Sequence, residues 1–338
     1  MPGSVPPPPS LTDVAGDVVL HLGVSLSAAV GLTVALLAIP EDRGGVVAAT
    51  VRTTVAVPAA AVVAVAAVVQ FVGAGPAGVG AYVQAVVFAT VVVGLLVLSR
   101  RASRWLGGGI AVLAAIAILT PLLPAPSSPI AVWMRSLLTG VHVLGAMFWV
   151  GGLVVLASAG LVTRRRGRRC EDGSFAERAS RDWHQVWERF GVVALWAVGA
   201  LIVSGAWLSW SHVGTPAQLL TTTYGRYLAF KLVLVVALVA AGSYNVRVLT
   251  PRVREARRRN DFRSAFHSAV EHFPAVVTAE ACLAVAVFAI VPFLRGSARS
   301  EAGWAAARSF DLTVLVTGLV LVLLTGAALW AGSRKARR

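Results

Sequence analysis

The sequence predicts an all-α polytopic membrane protein: a bundle of about nine transmembrane helices, N-terminus outside and C-terminus inside. Three observations predict it. Hydrophobic residues make up 57% and charged residues 13% of the 338, against roughly 45–50% and about 25% in a typical globular chain. The apolar residues fall in runs long enough to cross a bilayer, which takes about 20 residues for a core roughly 30 Å thick. The basic residues collect in alternate connections between those runs, as the positive-inside rule requires.

The spans are expected at about 14–38, 47–73, 79–99, 105–123, 131–161, 190–212, 224–247, 274–294 and 309–331. Short polar or Pro/Gly breaks separate them, such as Pro40 to Arg43, Gly73 to Pro76 and Pro124 to Pro129. Arg100, Arg101 and Arg104 follow span three; seven arginines from Arg164 to Arg181 follow span five; six from Arg252 to Arg263 follow span seven. The connections at 74–78, 124–130 and 213–223 carry no charge. Only the stretch near 295–308 breaks the contrast, with Arg295, Arg299 and Arg308. An odd number of spans satisfies this alternation, and the basic end of the chain then lies inside.

Residues 1–13 are Pro-rich and lack the basic side chains of a secretory n-region, so they read as a short outer tail before a retained first span. The rest divides into an N-terminal half (14–135, spans one to four), a second half (136–294, spans five to eight), and span nine with a basic tail (295–338). An internal repeat underlies that division. Span one carries His21, nine residues, then Gly31-Leu-Thr-Val; span five carries His142, nine residues, then Gly152-Leu-Val-Val. Two parallel four-helix halves plus one extra helix would follow, with sites at the interface between halves.

The net charge of +15 is explained by topology and does not point to nucleic acid. Cys170 falls in an Arg-rich connection and Cys282 inside an apolar span, so no disulfide is expected between them. Burial of Cys282 in an apolar helix disfavours a thiolate. No Gly-x-Ser-x-Gly, His-Glu-x-x-His or phosphate-binding Gly-x-x-x-x-Gly-Lys sequence occurs, so neither an enzyme nor an ATP-driven pump is expected.

Ionisable groups at membrane depth usually face a bundle interior, which singles out a few residues. His21 and His142 sit at similar depth toward the outer side, and Asp17 lies one turn before His21. A carboxylate there can hold one imidazole nitrogen and leave the other for a metal. Met147 follows His142 by five residues, and thioether with imidazole is a soft donor set suited to copper. His212 ends span six after Trp207 and Trp210, as a mouth residue or a member of an aromatic belt. His184, His267 and His272 lie among inner-side charges and read as solvated. Tyr224 and Arg226 open span seven, and Lys231 follows about 10 Å deeper at 1.5 Å per residue. Glu280 enters span eight from the inside, with Asn245 at a comparable level, so Lys231 and Glu280 are expected at different depths.

These residues resemble the copper resistance protein D family. His142 with Phe148, Trp149, Val150, Gly151 and Gly152 is similar to the first helix of its domain. Arg189-Phe190 with Ser204-Gly205 resembles the second, and Leu219 to Arg226 with Lys231, Asn245 and Pro251 the third. Glu280 resembles the acidic residue of the fourth. The resemblance covers roughly 140–294 and is weaker over 1–135. It implies a cytoplasmic-membrane protein of copper uptake or resistance that passes copper inward, with His142 and the Thr222–Lys231 segment on the route. The chain departs from the family in having only three methionines and no Met/His-rich outer segment, so no large copper reservoir is encoded.

Three readings stay open. The first is copper binding and translocation without ATP, with His21, His142, Met147 and His212 as metal ligands and Asp17, Trp149, Tyr224, Arg226, Lys231, Asn245 and Glu280 around the site or along the path. The second is a membrane b-type cytochrome with His21 and His142 as axial haem ligands. The third is a non-catalytic scaffold whose basic loops meet anionic lipid or a protein. The expected partners are membrane lipid and, for the copper reading, an outer-side copper chaperone.

Overall fold

A computed structural model describes residues 7–74, 78–167, 173–244, 273–305 and 312–335. Every regular element among them is helical, and eight helices are long and apolar enough to cross a membrane. The long helices are α1 (Leu11–Leu32, continued by a π-helical turn Thr33–Leu37), α2 (Val46–Thr50, a π-helical turn Val51–Val55, then Ala56–Ala74), α3 (Gly78–Arg100), α4 (Arg104–Leu119), α5 (Ile130–Gly167), α6 (Gly173–His212), α7 (Thr223–Tyr244), α8 (Phe273–Ile290) and α9 (Leu312–Lys335). The chain is a multi-pass membrane helix bundle. The basic stretch after span seven, with Asn245, His267 and His272, lies outside the described residues, as do Cys170 and Arg308.

α1 is the central helix, packed against α2, α4, α5 and α8. Its sequence suits that position because small residues let neighbouring backbones approach on several sides. A β-carbon added at Gly23 would sit 3.2 Å from the backbone nitrogen of Val63 on α2. One at Gly31 would overlap the carbonyl of Gly107 on α4. From the other side, one at Gly151 on α5 would overlap the carbonyl of Ser25. Outward faces carry large apolar side chains such as Val86, Trp196 and Val236, as a lipid-facing surface requires. Cys282 belongs to that surface: it is exposed on α8, against the expectation of burial, because an apolar helix at the rim of the bundle buries only one side.

α1 starts at Leu11, three residues before the expected edge, because Ser10 and Asp13 form a reciprocal capping box. A larger difference concerns spans five and six, which extend far beyond 161 and before 190. Arg164, Arg165 and Arg166 continue the last turn of α5, while Arg178 and Arg181 lie on the first turns of α6. Hydropathy misses this because the extensions are charged. The helical signal there is the buried stripe Ala179, Trp183, Val186 and Phe190, reinforced by the Glu177–Arg181 pair at 2.9 Å.

Asp182 is wholly buried and accepts backbone hydrogen bonds from Ile39 (2.9 Å) and Val47 (2.7 Å). Its carboxylate thereby pins the turn between α1 and α2 to α6. Nearby arginines answer the carbonyls left open at helix C-termini. Arg104 donates to Ala35 O at 3.0 Å, Arg189 to Leu36 O at 2.6 Å, and Arg52 to Ser99 O at 2.7 Å. At the opposite end Arg295 pairs with Asp13 at 3.6 Å, and Arg299 donates to the Trp210 carbonyl at 3.2 Å while lying over its ring. Those contacts account for two of the three arginines that break the charge alternation.

Candidate functional site

Three histidines on the spans share one arrangement. His21 Nδ1 lies 2.7 Å from the carbonyl oxygen of Asp17, and His212 Nδ1 lies 2.8 Å from that of Leu208. A carbonyl only accepts, so in the neutral ring Nδ1 carries the proton and Nε2 keeps its lone pair. His142 Nδ1 lies 3.0 Å from Ser204 Oγ. The Ser204 hydroxyl donates to Ala200 O at 2.5 Å, so its oxygen accepts from His142 Nδ1–H. All three imidazoles therefore present Nε2 as a free donor atom. Asp17 does fix a tautomer, but through its backbone carbonyl one turn back, which a helix supplies whatever the side chain.

The positions of these groups follow from helix contacts. Gly151 against Ser25 and Ala29 brings α5 onto α1 in a register that keeps His21 and His142 within about one 5.4 Å turn in depth. They face different neighbours. His142 looks toward α6, where a β-carbon on Gly205 would touch its ring at 3.5 Å. His21 sits beside Phe288 of α8, ring centroids 5.9 Å apart. Met147 is buried and shares the helix face of Gly151 four residues on, the face that meets α1. So the thioether lies on the His21 side of α5, and His142 on the α6 side.

Lys231 is close enough for its charge to act on His142. Tyr227 stacks on Phe293 at 4.9 Å, which registers α7 against α8. Counting along both helices from that contact, Lys231 lies about 6 Å inward and Glu280 about 20 Å inward. The two are thus some 14 Å apart in depth, as their sequence positions imply. Glu280 is buried at 3% exposure. Trp207 lies one turn from Ser204 on the same side of α6, wholly buried, and its indole N–H has no acceptor among the described residues.

His212 belongs to a separate layer at the C-terminal end of α6. It is eight residues beyond Ser204, about 12 Å along α6, and stacks on Tyr224 with centroids 5.6 Å apart. The one-turn helix Gln218–Thr221 and the segment around Ala298–Glu301 hold that layer together. Glu301 accepts from the N–H groups of Thr223 (2.7 Å) and Tyr224 (3.1 Å), capping α7 from a distant part of the chain. Trp149 is buried in the main core, apart from this layer, and Arg226 is exposed. His184, in the N-terminal part of α6, is half-buried and lies 3.4 Å from Glu188.

The four candidate ligands are therefore dispersed: His142 beside Ser204, His21 beside Phe288, Met147 buried on the α1 side of α5, and His212 at the C-terminal end of α6. Among the described residues no group of three or more His, Cys, Asp and Glu comes together as a metal cage. Ser204, Asp182 and Glu301 carry much of the geometry. Only Ser204 had a sequence signal, its pairing with Gly205.

Residues 184–294 match the model of the copper resistance protein D family. The match takes in most of α6, all of α7 and α8, and with them Ser204, Tyr224, Arg226, Lys231, Asn245 and Glu280. It begins beyond α5, so His142 and the Phe148–Gly152 sequence stand outside it. No curated protein and no solved structure matches the chain. Over residues 184–294 this multi-pass membrane protein is similar to the copper resistance protein D family.

Proposed function

We propose that the protein handles copper in the cytoplasmic membrane, binding the ion from the outer side and passing it inward through the bundle without ATP. The observation that carries this reading is the shared tautomer: His21, His142 and His212 each have Nδ1 committed and Nε2 presented as a lone pair. That is the state in which imidazole binds a metal, and hydrogen-bonded metal-binding histidines are the rule. His212, stacked on Tyr224, receives the ion at the outer mouth, and His142 and His21 are successive stations about 12 Å deeper, on different sides of α5. Met147 adds a soft donor on the His21 side, which favours Cu(I).

The distribution of ligands suits passage better than storage. A conducting site has to bind strongly enough to admit an ion and weakly enough to release it. Spread donors and the nearby Lys231 charge both weaken retention. An outer-side copper chaperone would deliver the ion, and the basic connections would lie on the cytoplasmic side with the C-terminus. The test is copper accumulation and copper resistance in cells expressing the wild type, His142→Ala or His212→Ala at matched membrane levels. The proposal expects His142→Ala to remove the copper-dependent phenotype; full retention of it by both variants overturns the reading.

A further inference from the structure

A cleft of about 330 Å³ opens where the turn before α2, the start of α2, the end of α5 and the start of α6 meet, away from His21, His142 and His212. Arg166 from the last turn of α5 and Arg178 from the first turns of α6 both line it, with Gly44, Gly45, Glu41 and Phe175. The acids among the described residues here are already engaged. Glu41 is held by Arg52 through two contacts at 2.7 and 3.0 Å, Glu177 by Arg181 at 2.9 Å, and Asp182 by backbone N–H groups. Arg166 and Arg178 are exposed and pair with no acid among the described residues. Two guanidinium groups thus line a cavity whose one carboxylate among the described residues, Glu41, is already held by Arg52.

The shape of the cleft also points to an occupant. Gly44 adopts a left-handed φ of +83°, and a β-carbon there would meet the Arg178 side chain at 3.9 Å, so the turn leaves room for that arginine to fold across it. Phe175, Val46 and Ala49 supply an apolar wall beside the two cations. The cleft lies at the charged ends of the spans, where lipid headgroups sit, and a bare phosphate would fill only a small part of it. Guanidinium pairs match phosphate geometry, and basic pockets between spans are headgroup sites.

We propose that this cleft binds the phosphate headgroup of an anionic phospholipid, with Arg166 and Arg178 on the phosphate and Phe175 against the glycerol and upper acyl region. The experiment titrates copper-free, detergent-purified protein with short-chain phosphatidylglycerol, short-chain phosphatidylcholine or inorganic phosphate, and reads the thermal unfolding midpoint. Phosphatidylglycerol should raise the midpoint, and Arg166→Gln/Arg178→Gln should lose at least half of that rise. Arg100→Gln/Arg101→Gln, which alters exposed arginines elsewhere, should keep it. Should the double variant fold poorly, Arg178→Gln alone should weaken the apparent lipid affinity several-fold. An equal rise with phosphatidylcholine, an equal rise in the double variant, or inorganic phosphate reproducing the effect at the same concentration overturns the proposal. Because copper is absent throughout, the result is independent of the copper reading.

Discussion

His142 and Ser204 are joined across two helices by a 3.0 Å hydrogen bond from Nδ1 to Oγ, and that bond turns Nε2 of the imidazole into a lone-pair donor. Ser204 can accept because its own proton is committed to Ala200 O one turn earlier on α6. If copper binds His142, Ser204 is a positioning residue. Ser204→Ala should lower copper affinity about 10–100-fold, the usual effect of losing such a partner, while Ser204→Thr should largely restore it. Equilibrium dialysis of the purified variants checks this, with the unfolding midpoint as a control for packing.

Lys231 has the opposite influence, because its charge opposes a cation near His142. Lys231→Met should raise copper retention about tenfold, the effect of removing roughly 1.4 kcal/mol of repulsion, and should slow copper transfer in proteoliposomes. Competition with a chelator of known affinity measures the first change, and time-resolved uptake the second.

Much of this arrangement is legible in the sequence, and the parts that are not have a physical cause. The spans, the depth of His21 and His142 and the separation of Lys231 from Glu280 follow from hydropathy and a 1.5 Å rise. The direction each side chain faces does not, since it depends on which glycine meets which helix. Gly151 against Ser25 and Gly152 against Phe190 place adjacent residues of α5 on different neighbours, which separates Met147 from His142. Asp182 is hidden for another reason: it sits in an extension of α6 too charged for a hydropathy reading, and its partners lie more than 130 residues away.

That buried carboxylate gives a stability prediction. Asp182→Ala leaves the Ile39 and Val47 N–H groups without an acceptor, each costing about 1–3 kcal/mol. A loss of about 2–5 kcal/mol is expected, seen as a clear fall in the unfolding midpoint and faster proteolysis at the turn between α1 and α2. Asp182→Asn keeps one acceptor oxygen and should fall between the variant and the wild type.

Glycine substitutions test the central packing. Gly151→Ala drives a methyl group into the Ser25 carbonyl and should separate α1 from α5, with a loss of about 1–3 kcal/mol. Gly108→Ala and Gly109→Ala meet nothing within 4 Å and should be neutral or slightly stabilising, because alanine exceeds glycine in helix propensity by up to about 1 kcal/mol. Unfolding midpoints of the three variants in one detergent decide the matter.

Glu301 caps α7 through the Thr223 and Tyr224 N–H groups, so its loss should be felt at His212. Glu301→Ala should cost about 1 kcal/mol and increase hydrogen exchange over Thr223 to Arg226. Exchange at Ser204 should be unaffected.

Copper binding by the histidines of α1 and α5 is the step on which the proposed function stands. Metal analysis with an optical spectrum of detergent-purified wild type, beside His21→Ala/His142→Ala, tests it most directly. About one equivalent of copper in the wild type, lost in a well-folded double variant, is the predicted result. Copper content unchanged in the variant, or a haem spectrum in the wild type that disappears with the two histidines, would contradict it.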